Sequence, residues 1–231
     1  MTMTGQRNDN CHPERSRGIF QASMKNYEYI VASLPDITTG WKFGEKGPED
    51  YIEEIVSLCS EKDRALIEFL MNGYLEENLN AGFYAEALTH KDAFIREYFR
   101  FDLNVRNAKV KYLNKALGRD AERDVLLFGE DADQAVLDAV SDEFEEASDL
   151  ETVLGTGDIL SRERGIDDLM WEKIDSLTTF NYFDIDAILG FITKMNIVAR
   201  WYRLDEQTGR EMFKRLVDEV RGTFKGVEYN G

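Results

Sequence analysis

Apolar residues recur with the 3.6-residue period of an α-helix over most of this chain. The first clear stripe follows Pro48, a residue suited to the first turn of a helix, and falls at positions i, i+3, i+4 and i+7. Its members are Ile52, Ile55, Val56 and Cys59. Ser60, with the acidic Asp63 three positions later, resembles the start of a second helix. All three prolines lie before residue 49, so the rest of the chain has no helix breaker of that kind.

Longer stretches predict the main helices. A stripe without glycine or proline, with a basic polar face, runs over about residues 89–117, and Gly118 supplies a natural stop. In the last third, Asp184 begins a helix whose apolar stripe continues to Trp201, and residues 205–224 have the pattern of a final amphipathic helix. We therefore predict a mainly α fold built from long amphipathic helices.

The first part of the chain differs from this helical remainder. Residues 27–34 are rich in β-forming side chains and stop at Pro35, so they predict a short extended segment. Residues 1–23 have almost no apolar periodicity and lack the apolar central run of a secretory signal. We interpret residues 1–23 as a disordered or misassigned leader and Met24 as the natural start.

A faint internal repeat suggests two similar helical lobes. Residues 101–112 and residues 194–203 both place Asn and Arg among apolar residues on a long helix, and they lie about 90 residues apart. We therefore expect a first helical lobe over residues 24–125 and a second over residues 126–231.

The composition agrees with a folded protein and argues against several functions. The chain has 231 residues, of which 43% are apolar and 12% aromatic, and these values are typical of globular domains. It carries 28 basic residues against 45 acidic ones, a formal net charge of −17, which argues against broad binding of nucleic acid. No window approaches 18 uninterrupted apolar residues, so the sequence predicts no transmembrane span.

Cysteine and histidine are too few for the common metal and nucleophilic sites. Without residues 1–23, the chain keeps only Cys59 and His90 of these two residue types. One cysteine allows no internal disulfide, which fits a reducing cytoplasm. One histidine excludes a zinc site with two histidines on one helix, and no nucleophile motif accompanies His90. We favour a helix-capping or surface position for His90. A small enzyme that uses His90 or carboxylates is a third hypothesis for the function, besides the two that are given at the end of this section.

Three further motifs have a chemical and a structural interpretation. Residues 119–151 carry 13 acids against two arginines but match no calcium-binding loop, so a solvated helix face is favoured over a metal site. The glycines of residues 154–165 lack the Lys-Ser/Thr of a phosphate loop, so a hinge between helices is favoured. Five aromatic side chains suggest a ligand pocket or, in preference, core packing: Trp171, Phe180, Tyr182, Phe183 and Trp201.

Charge is segregated along the chain. Residues 91–123 carry nine basic residues against five acidic ones, and residues 194–225 carry eight against five, with the acidic run between them. Such segregation suits docking between oppositely charged protein surfaces, where charge guides encounter and orientation. Ion pairing within the chain uses the same charges, and the sequence favours neither interpretation over the other.

Several segments resemble a known group of proteins. Residues 27–35 resemble the start of an uncharacterised bacterial family that is encoded among V/A-type ATPase genes. Residues 102–109 resemble the acid-then-Asn-Leu-Lys helix of the C-type subunit of that rotary enzyme, known in eukaryotes as the d-type subunit. Residues 188–191, followed by residues 194–197 and Arg200, resemble a later helix of the same protein. The C-type subunit is an all-helical funnel of three similar lobes without catalytic residues, whereas 208 residues suffice for about two lobes.

The resemblance implies a non-catalytic central-stalk or accessory subunit of a V/A-type proton- or sodium-translocating ATPase, which couples or assembles the soluble head and the membrane ring. The implied partners are the rotor ring and the central shaft, with no nucleic acid, cofactor or metal, and the implied location is cytoplasmic, peripheral to the inner membrane. Charged positions on the long helices are the candidate partner contacts: Arg96, Arg100, Arg106, Lys109, Arg200 and Arg203. The alternative is a free-standing acidic helical adaptor that binds another protein.

Overall fold

The computed structural model describes residues 27–203, apart from residues 45, 130, 131 and 142. Within that part the chain forms nine α-helices and no strand, which confirms the predicted mainly α fold. In chain order the helices are α1 (Tyr27–Ser33), α2 (Pro48–Leu58), α3 (Glu61–Asn72), α4 (Ala81–Leu88), α5 (Ala93–Ala116), α6 (Gln134–Ala139), α7 (Ala147–Leu154), α8 (Ile159–Thr178) and α9 (Ile185–Arg203), with a 3₁₀ turn at Glu76–Asn78. The predicted leader and the predicted helix over residues 205–224 lie outside the described residues.

Most predicted helix ends are confirmed by local hydrogen bonds. Helix α2 begins at Pro48, and the Ser60 hydroxyl caps α3 by accepting from the Asp63 amide at 3.3 Å. Asp92 caps the 24-residue helix α5 by accepting from the Ile95 amide at 3.1 Å. Gly118 has a φ of 66°, a left-handed conformation that suits glycine just beyond a helix end.

The predicted extended segment at residues 27–34 is wrong, because this segment forms helix α1. Tyr27 and Ile30, one helical turn apart, are both buried, and α1 packs against α9. The Tyr27 hydroxyl also donates a hydrogen bond of 2.9 Å to Asp63 at the start of α3. Packing of one helical face therefore overrides the β-propensity of the individual residues.

The acidic run, residues 119–151, is less helical than the predicted solvated helix face requires. Residues 121–129 are turn and coil, and among the described residues of the run only α6 and α7 are helical. The coil is bound to α5 by Asn107, whose side-chain amide donates to the Leu126 carbonyl and accepts from the Leu126 amide, both at 3.0 Å. This pair of hydrogen bonds replaces those that a helix would supply, so the coil needs no helix of its own.

Two further asparagines of α5 bind the same segment. The Asn114 side chain donates to the Arg123 carbonyl at 2.6 Å, and the Asn104 side chain accepts from the Ser141 amide at 3.2 Å. We call Asn104, Asn107 and Asn114 the asparagine ladder. All three are buried, so each amide depends on these partners for its hydrogen bonds.

The three longest helices of the described chain, α5, α8 and α9, form the centre of the molecule. Helix α8 packs against both α5 and α9, and α9 also contacts α1, α2 and α3. One apolar cluster includes Leu103 of α5, Ile174 of α8 and Ile192 of α9, all essentially inaccessible to solvent. Helices from both sides of residue 125 share this core, and the division into two lobes stays a prediction. No helix in the described ranges has the length and apolar character needed to cross a membrane.

Helices α8 and α9 run antiparallel and approach each other closely near their connection. A Cβ atom at Gly190 of α9 would lie 2.7 Å from Cγ2 of Thr178, so the close approach requires glycine. Further along, Lys194 of α9 pairs with Asp175 of α8. The predicted hinge before α8 is shorter than expected, because α8 already begins at Ile159.

Candidate protein-interaction surface

Three of the six predicted contact residues meet in a cleft between α5, α8 and α9. Arg106 and Lys109 project from α5 and Arg200 from α9, and the cleft has a volume of about 270 Å³. Asp102 of α5 and Asp167 of α8 also line it. We call this feature the charged cleft. Contacts at the cleft join residues that are distant in the sequence. Lys109 and Glu163 are 54 positions apart, and Asp167 and Arg200 are 33 positions apart.

The α8–α9 side of the charged cleft is organised around Asp167. Its carboxylate accepts hydrogen bonds from the Arg200 guanidinium and, at 2.6 Å, from Nε1 of Trp201. Burial raises the pKa of Asp167, and the positive charge of Arg200 opposes that rise. Glu163 lies one turn earlier on α8, with its carboxylate 3.0 Å from Lys109 and 3.9 Å from Arg200. One carboxylate is thus shared by two cations from different helices.

The α5 side of the charged cleft is organised around Asp102. Nε of Arg106 donates to the Asp102 carboxylate at 2.7 Å, with the two residues four positions apart on α5. The Tyr84 hydroxyl of α4 donates to the same carboxylate oxygen. Burial and the nearby charge of Asp102 raise the pKa of Tyr84, so the phenol keeps its proton and stays a donor.

Neutral tyrosines line the floor of the charged cleft. The Tyr74 hydroxyl donates to Thr193 of α9 at 2.9 Å, and Tyr98 of α5 is buried beside it. Burial is the main cause that raises the pKa of both phenols. These protonated hydroxyl groups therefore add no charge to the cleft, whose charged lining residues are arginine, lysine and aspartate.

Cations and carboxylates differ in depth across this cleft. The side chain of Arg200 is 45% exposed and that of its partner Asp167 8%, while Arg106 is 42% exposed and its partner Asp102 14%. The solvent-facing layer is thus positive and the layer beneath it negative. A half-exposed guanidinium keeps donors that point to solvent and can bind a second carboxylate.

The other three predicted contact residues lie outside the charged cleft. Arg96 and Arg100 both approach Glu97, at 3.5 Å and 3.1 Å, on the exposed side of the first turns of α5. Arg203, at the end of α9, pairs with Glu49 of α2 at 2.7 Å, and both side chains are exposed. All six residues thus have a carboxylate partner within the chain. Their contact with another protein stays a prediction.

His90 and the carboxylates provide no metal centre in the described part of the chain, where no three His, Cys, Asp or Glu side chains are grouped to hold an ion. His90 is half-buried at the edge of a second cleft of about 630 Å³. Its Nδ1 accepts from the Asp92 amide at 3.1 Å, and its ring stacks on Phe69 with the centroids 4.9 Å apart. These contacts hold the start of α5 in place, but the residue that caps this helix is Asp92 and not His90.

The preference for core packing is wrong for three of the five aromatic side chains. Phe180, Tyr182 and Phe183 are exposed, whereas Trp171 and Trp201 pack against the core as predicted. The three exposed residues lie in the short connection between α8 and α9. The helix start predicted at Asp184 already places them outside helix and core, and this was the signal that could have found them.

Sequence reasoning missed the carboxylates beneath the cations. Asp167 directly follows the buried Ile166 and precedes the buried Leu169 and Met170, and a carboxylate at such a position needs a partner. Asp102 lies four residues before Arg106, the spacing of an ion pair on one helix face. Both signals were present in the sequence, but only the tertiary structure identifies the partners from other helices.

Comparison with known proteins gives one match. A family model with the description "Protein of unknown function (DUF2764)" matches residues 74–223, well over half of the chain. No curated protein and no solved structure matches the chain. The matched region begins at Tyr74 in the floor of the charged cleft and contains all of α4 to α9.

Proposed function

The chain belongs to the family of unknown function DUF2764, and from this premise we propose that it is a non-catalytic central-stalk or accessory subunit of a bacterial V/A-type ATPase. In this role it couples or assembles the soluble head and the membrane ring of a proton- or sodium-translocating enzyme. It lies at the cytoplasmic face of the inner membrane and reaches the membrane through the complex. The sequence resemblance to the C-type subunit of this enzyme motivates the choice of complex.

The observation that carries the proposed docking role is the difference in depth between cations and carboxylates in the charged cleft. Arg106 and Arg200 present half-exposed guanidinium groups above the nearly buried Asp102 and Asp167. The buried carboxylates fix the positions of the cations, so little side-chain entropy is lost when a partner binds them. An acidic helix of a neighbouring protein in the complex supplies the complementary carboxylates.

The helices that carry these cations suit the transmission of force. Helices α5, α8 and α9 have 24, 20 and 19 residues, so they span about 36, about 30 and about 29 Å at 1.5 Å per residue. They pack on one another along one apolar core, so a load applied to the charged cleft acts on the whole helical body. We infer that the protein works by shape and charge, with its helices as rigid levers.

The direct test is purification of the complete V/A-type ATPase from cells that encode this chain. We expect the protein in the active complex at a fixed ratio to the other subunits. Replacement of Arg106 and Arg200 by Gln should release it, because the acidic partner then loses the cations that it binds. Far-UV circular dichroism of the free variant checks that the chain stays folded. A Lys62→Gln variant is the matched control, because Lys62 is exposed on α3 and does not line the charged cleft. A complete and active complex that lacks the chain contradicts the proposal.

A free-standing helical adaptor is the second candidate function. The exposed aromatic side chains between α8 and α9 favour it, because they offer a second surface besides the charged cleft. The same purification separates the two functions. A stable complex with a protein unrelated to the ATPase, sensitive to the Arg106 and Arg200 replacements, supports the adaptor.

A further inference from the structure

The connection between α8 and α9 presents three aromatic side chains to solvent. Phe180, Tyr182 and Phe183 are 86%, 68% and 57% exposed. We call residues 179–184 the aromatic loop. Adjacent exposed aromatic side chains on a folded protein typically mark a contact surface, because each of them gains free energy when a partner covers it.

The aromatic loop is held in one conformation by local hydrogen bonds. The Asn181 amide donates to the Thr178 carbonyl at 2.9 Å, and the Asn181 side chain donates to Asp186. The Asp184 carboxylate accepts from the Ala187 amide at 3.2 Å, at the start of α9. A loop fixed in this way loses little conformational entropy on binding, so more of the contact energy appears as affinity.

A cavity with both apolar and polar lining opens directly beside the aromatic loop. It has a volume of about 340 Å³, lies between the end of α1 and the start of α9, and has Tyr182 at one side. Its apolar lining includes Val31, Leu34, Ile37, Ala187 and Phe191. This volume is at the lower end of the range for ligand pockets, which suits one inserted side chain better than a whole cofactor.

The start of α9, directly after the loop aromatic residues, is acidic. Asp184 and Asp186 lie there, and Asp92 adds a third negative charge close to Asp186. We call Asp184 and Asp186 the acidic rim. The charged side chains that line the cavity itself are Asp36 and Lys194, of opposite sign, and Lys194 pairs with Asp175 of α8. Negative charge therefore predominates at the start of α9 and not in the cavity.

Asp186 is the carboxylate beside the aromatic loop whose pKa is raised. Burial raises its pKa from the ordinary 3.8 to about 6, and the negative charges of Asp92 and Asp184 add to the rise. A cation brought to this position favours the ionised carboxylate. A positively charged group of a partner therefore stabilises the negative charge of the acidic rim.

The geometry points to a docking site for a segment of a partner protein in which apolar side chains are flanked by Lys or Arg. Apolar side chains of that segment cover the aromatic loop and enter the cavity beside it, and the cations face Asp184 and Asp186. The acidic rim disfavours a second copy of this chain, whose net charge is −17, and equally an anionic membrane. The inference does not depend on the proposed place in an ATPase.

The test is titration of the full chain with a fluorescent amphipathic Leu/Lys peptide at physiological salt, alongside a Leu/Glu peptide of the same length and apolar content. We expect the Leu/Lys peptide to bind and the Leu/Glu peptide not to bind. The combined Phe180→Ser, Tyr182→Ser and Phe183→Ser replacement should weaken binding about ten-fold or more, because aromatic side chains dominate such contacts. These side chains are exposed, so the variant keeps the thermal stability of the wild type.

The matched control is Ile159→Ser with Leu160→Ser, since both side chains are exposed apolar residues at the other end of α8. It leaves the net charge unchanged and should bind the Leu/Lys peptide as the wild type does. If the wild type, the loop variant and the control variant bind the peptide equally, the peptide binds to the acidic run and the inference is overturned. The inference is also overturned if the wild type self-associates or sediments with lipid vesicles and the loop variant does not. Absence of the chain from the purified ATPase leaves this result unaffected.

Discussion

The charged cleft and the aromatic loop lie toward opposite ends of the same antiparallel helix pair, α8 and α9. The charged cleft contains Asp167 in the first half of α8 and Arg200 near the end of α9, whereas the aromatic loop joins the other ends of these helices. In the cleft every described charged group has a partner of opposite sign in the chain. In the loop three aromatic side chains have most of their surface in water.

The difference shows that the two surfaces have different free-energy costs for the folded chain. A carboxylate taken out of water costs several kcal/mol unless a cation and hydrogen bonds compensate, so the cleft must be satisfied within the chain. An exposed aromatic side chain costs far less, and the chain can present it free. Replacement of cleft residues should therefore affect folding, whereas replacement of loop residues should affect binding alone.

Asp167→Ala tests the buried carboxylate of the charged cleft, where we expect the largest effect on stability. The change removes the acceptor for Arg200 and Trp201 and leaves their donors without it. We expect the free energy of unfolding to fall by about 3 kcal/mol, as measured by urea denaturation at neutral pH. Asp168→Ala is the control, because that neighbouring carboxylate is exposed. A loss no larger than that of the control would contradict the account of the cleft.

Asn107→Ala tests whether buried polar pairing also holds the acidic run. It removes both hydrogen bonds to the backbone of Leu126, and we expect a loss of about 2 kcal/mol. Hydrogen exchange should become faster at the Leu126 amide in particular. Asn72→Ala, at an exposed position of α3, controls for helix propensity. Unchanged exchange at Leu126 would show that the asparagine ladder does not hold this segment.

Asp186→Asn concerns a carboxylate beside the aromatic loop that is poorly compensated. Its pKa is raised to about 6 in the folded chain, so its contribution to stability is full below about pH 4 and is lost as the pH rises to about 6. We expect the Asn variant to be more stable than the wild type by about 1 kcal/mol at neutral pH, a value reduced for solvent screening. The difference should vanish near pH 4 in urea titrations.

The control for Asp186→Asn is Asp36→Asn, an exposed carboxylate that lines the cavity beside the aromatic loop. It should change the free energy of unfolding by no more than about 0.5 kcal/mol at either pH. A stability difference between wild type and Asp186→Asn that is independent of pH would show that Asp186 is not destabilised by its surroundings.

Serine in place of Phe180, Tyr182 and Phe183 should produce the smallest change in folding. Because these side chains are exposed, we expect the free energy of unfolding to stay within about 0.5 kcal/mol of the wild type. Solubility at high protein concentration should rise, because exposed apolar surface is removed. A loss of stability comparable to that of Asp167→Ala would show that the loop packs against the fold and is not free.

The long helices could be predicted because their signal is local. The stripe over residues 89–117 and the helix start at Asp184 each follow from spacing and from cap or breaker residues, and α5 and α9 match them closely. Helix α1 could not be predicted in this way, because its seven residues favour strands and only packing against α9 makes them helical.

The candidate site was predictable only in part. Spacing on one helix links Asp102 with Arg106, but the partners of Arg200 and Lys109 lie 33 and 54 residues away and come together only in the tertiary fold. The coil beside α5 was also hidden, because asparagine gives no sign in sequence that it will bind a distant backbone. Residue type alone assigned the loop aromatic residues to the core, and a short connection between helices overrode it.

The measurement that tests the central claim most directly is hydrogen exchange of this chain, free and within the purified V/A-type ATPase. If both surfaces contact neighbouring proteins of the complex, exchange should slow in the peptides of α5 and α8 that form the charged cleft and in the aromatic loop, with α2 and α3 unchanged. Equal exchange in the free and assembled chain at both surfaces, or protection confined to other helices, would contradict the claim.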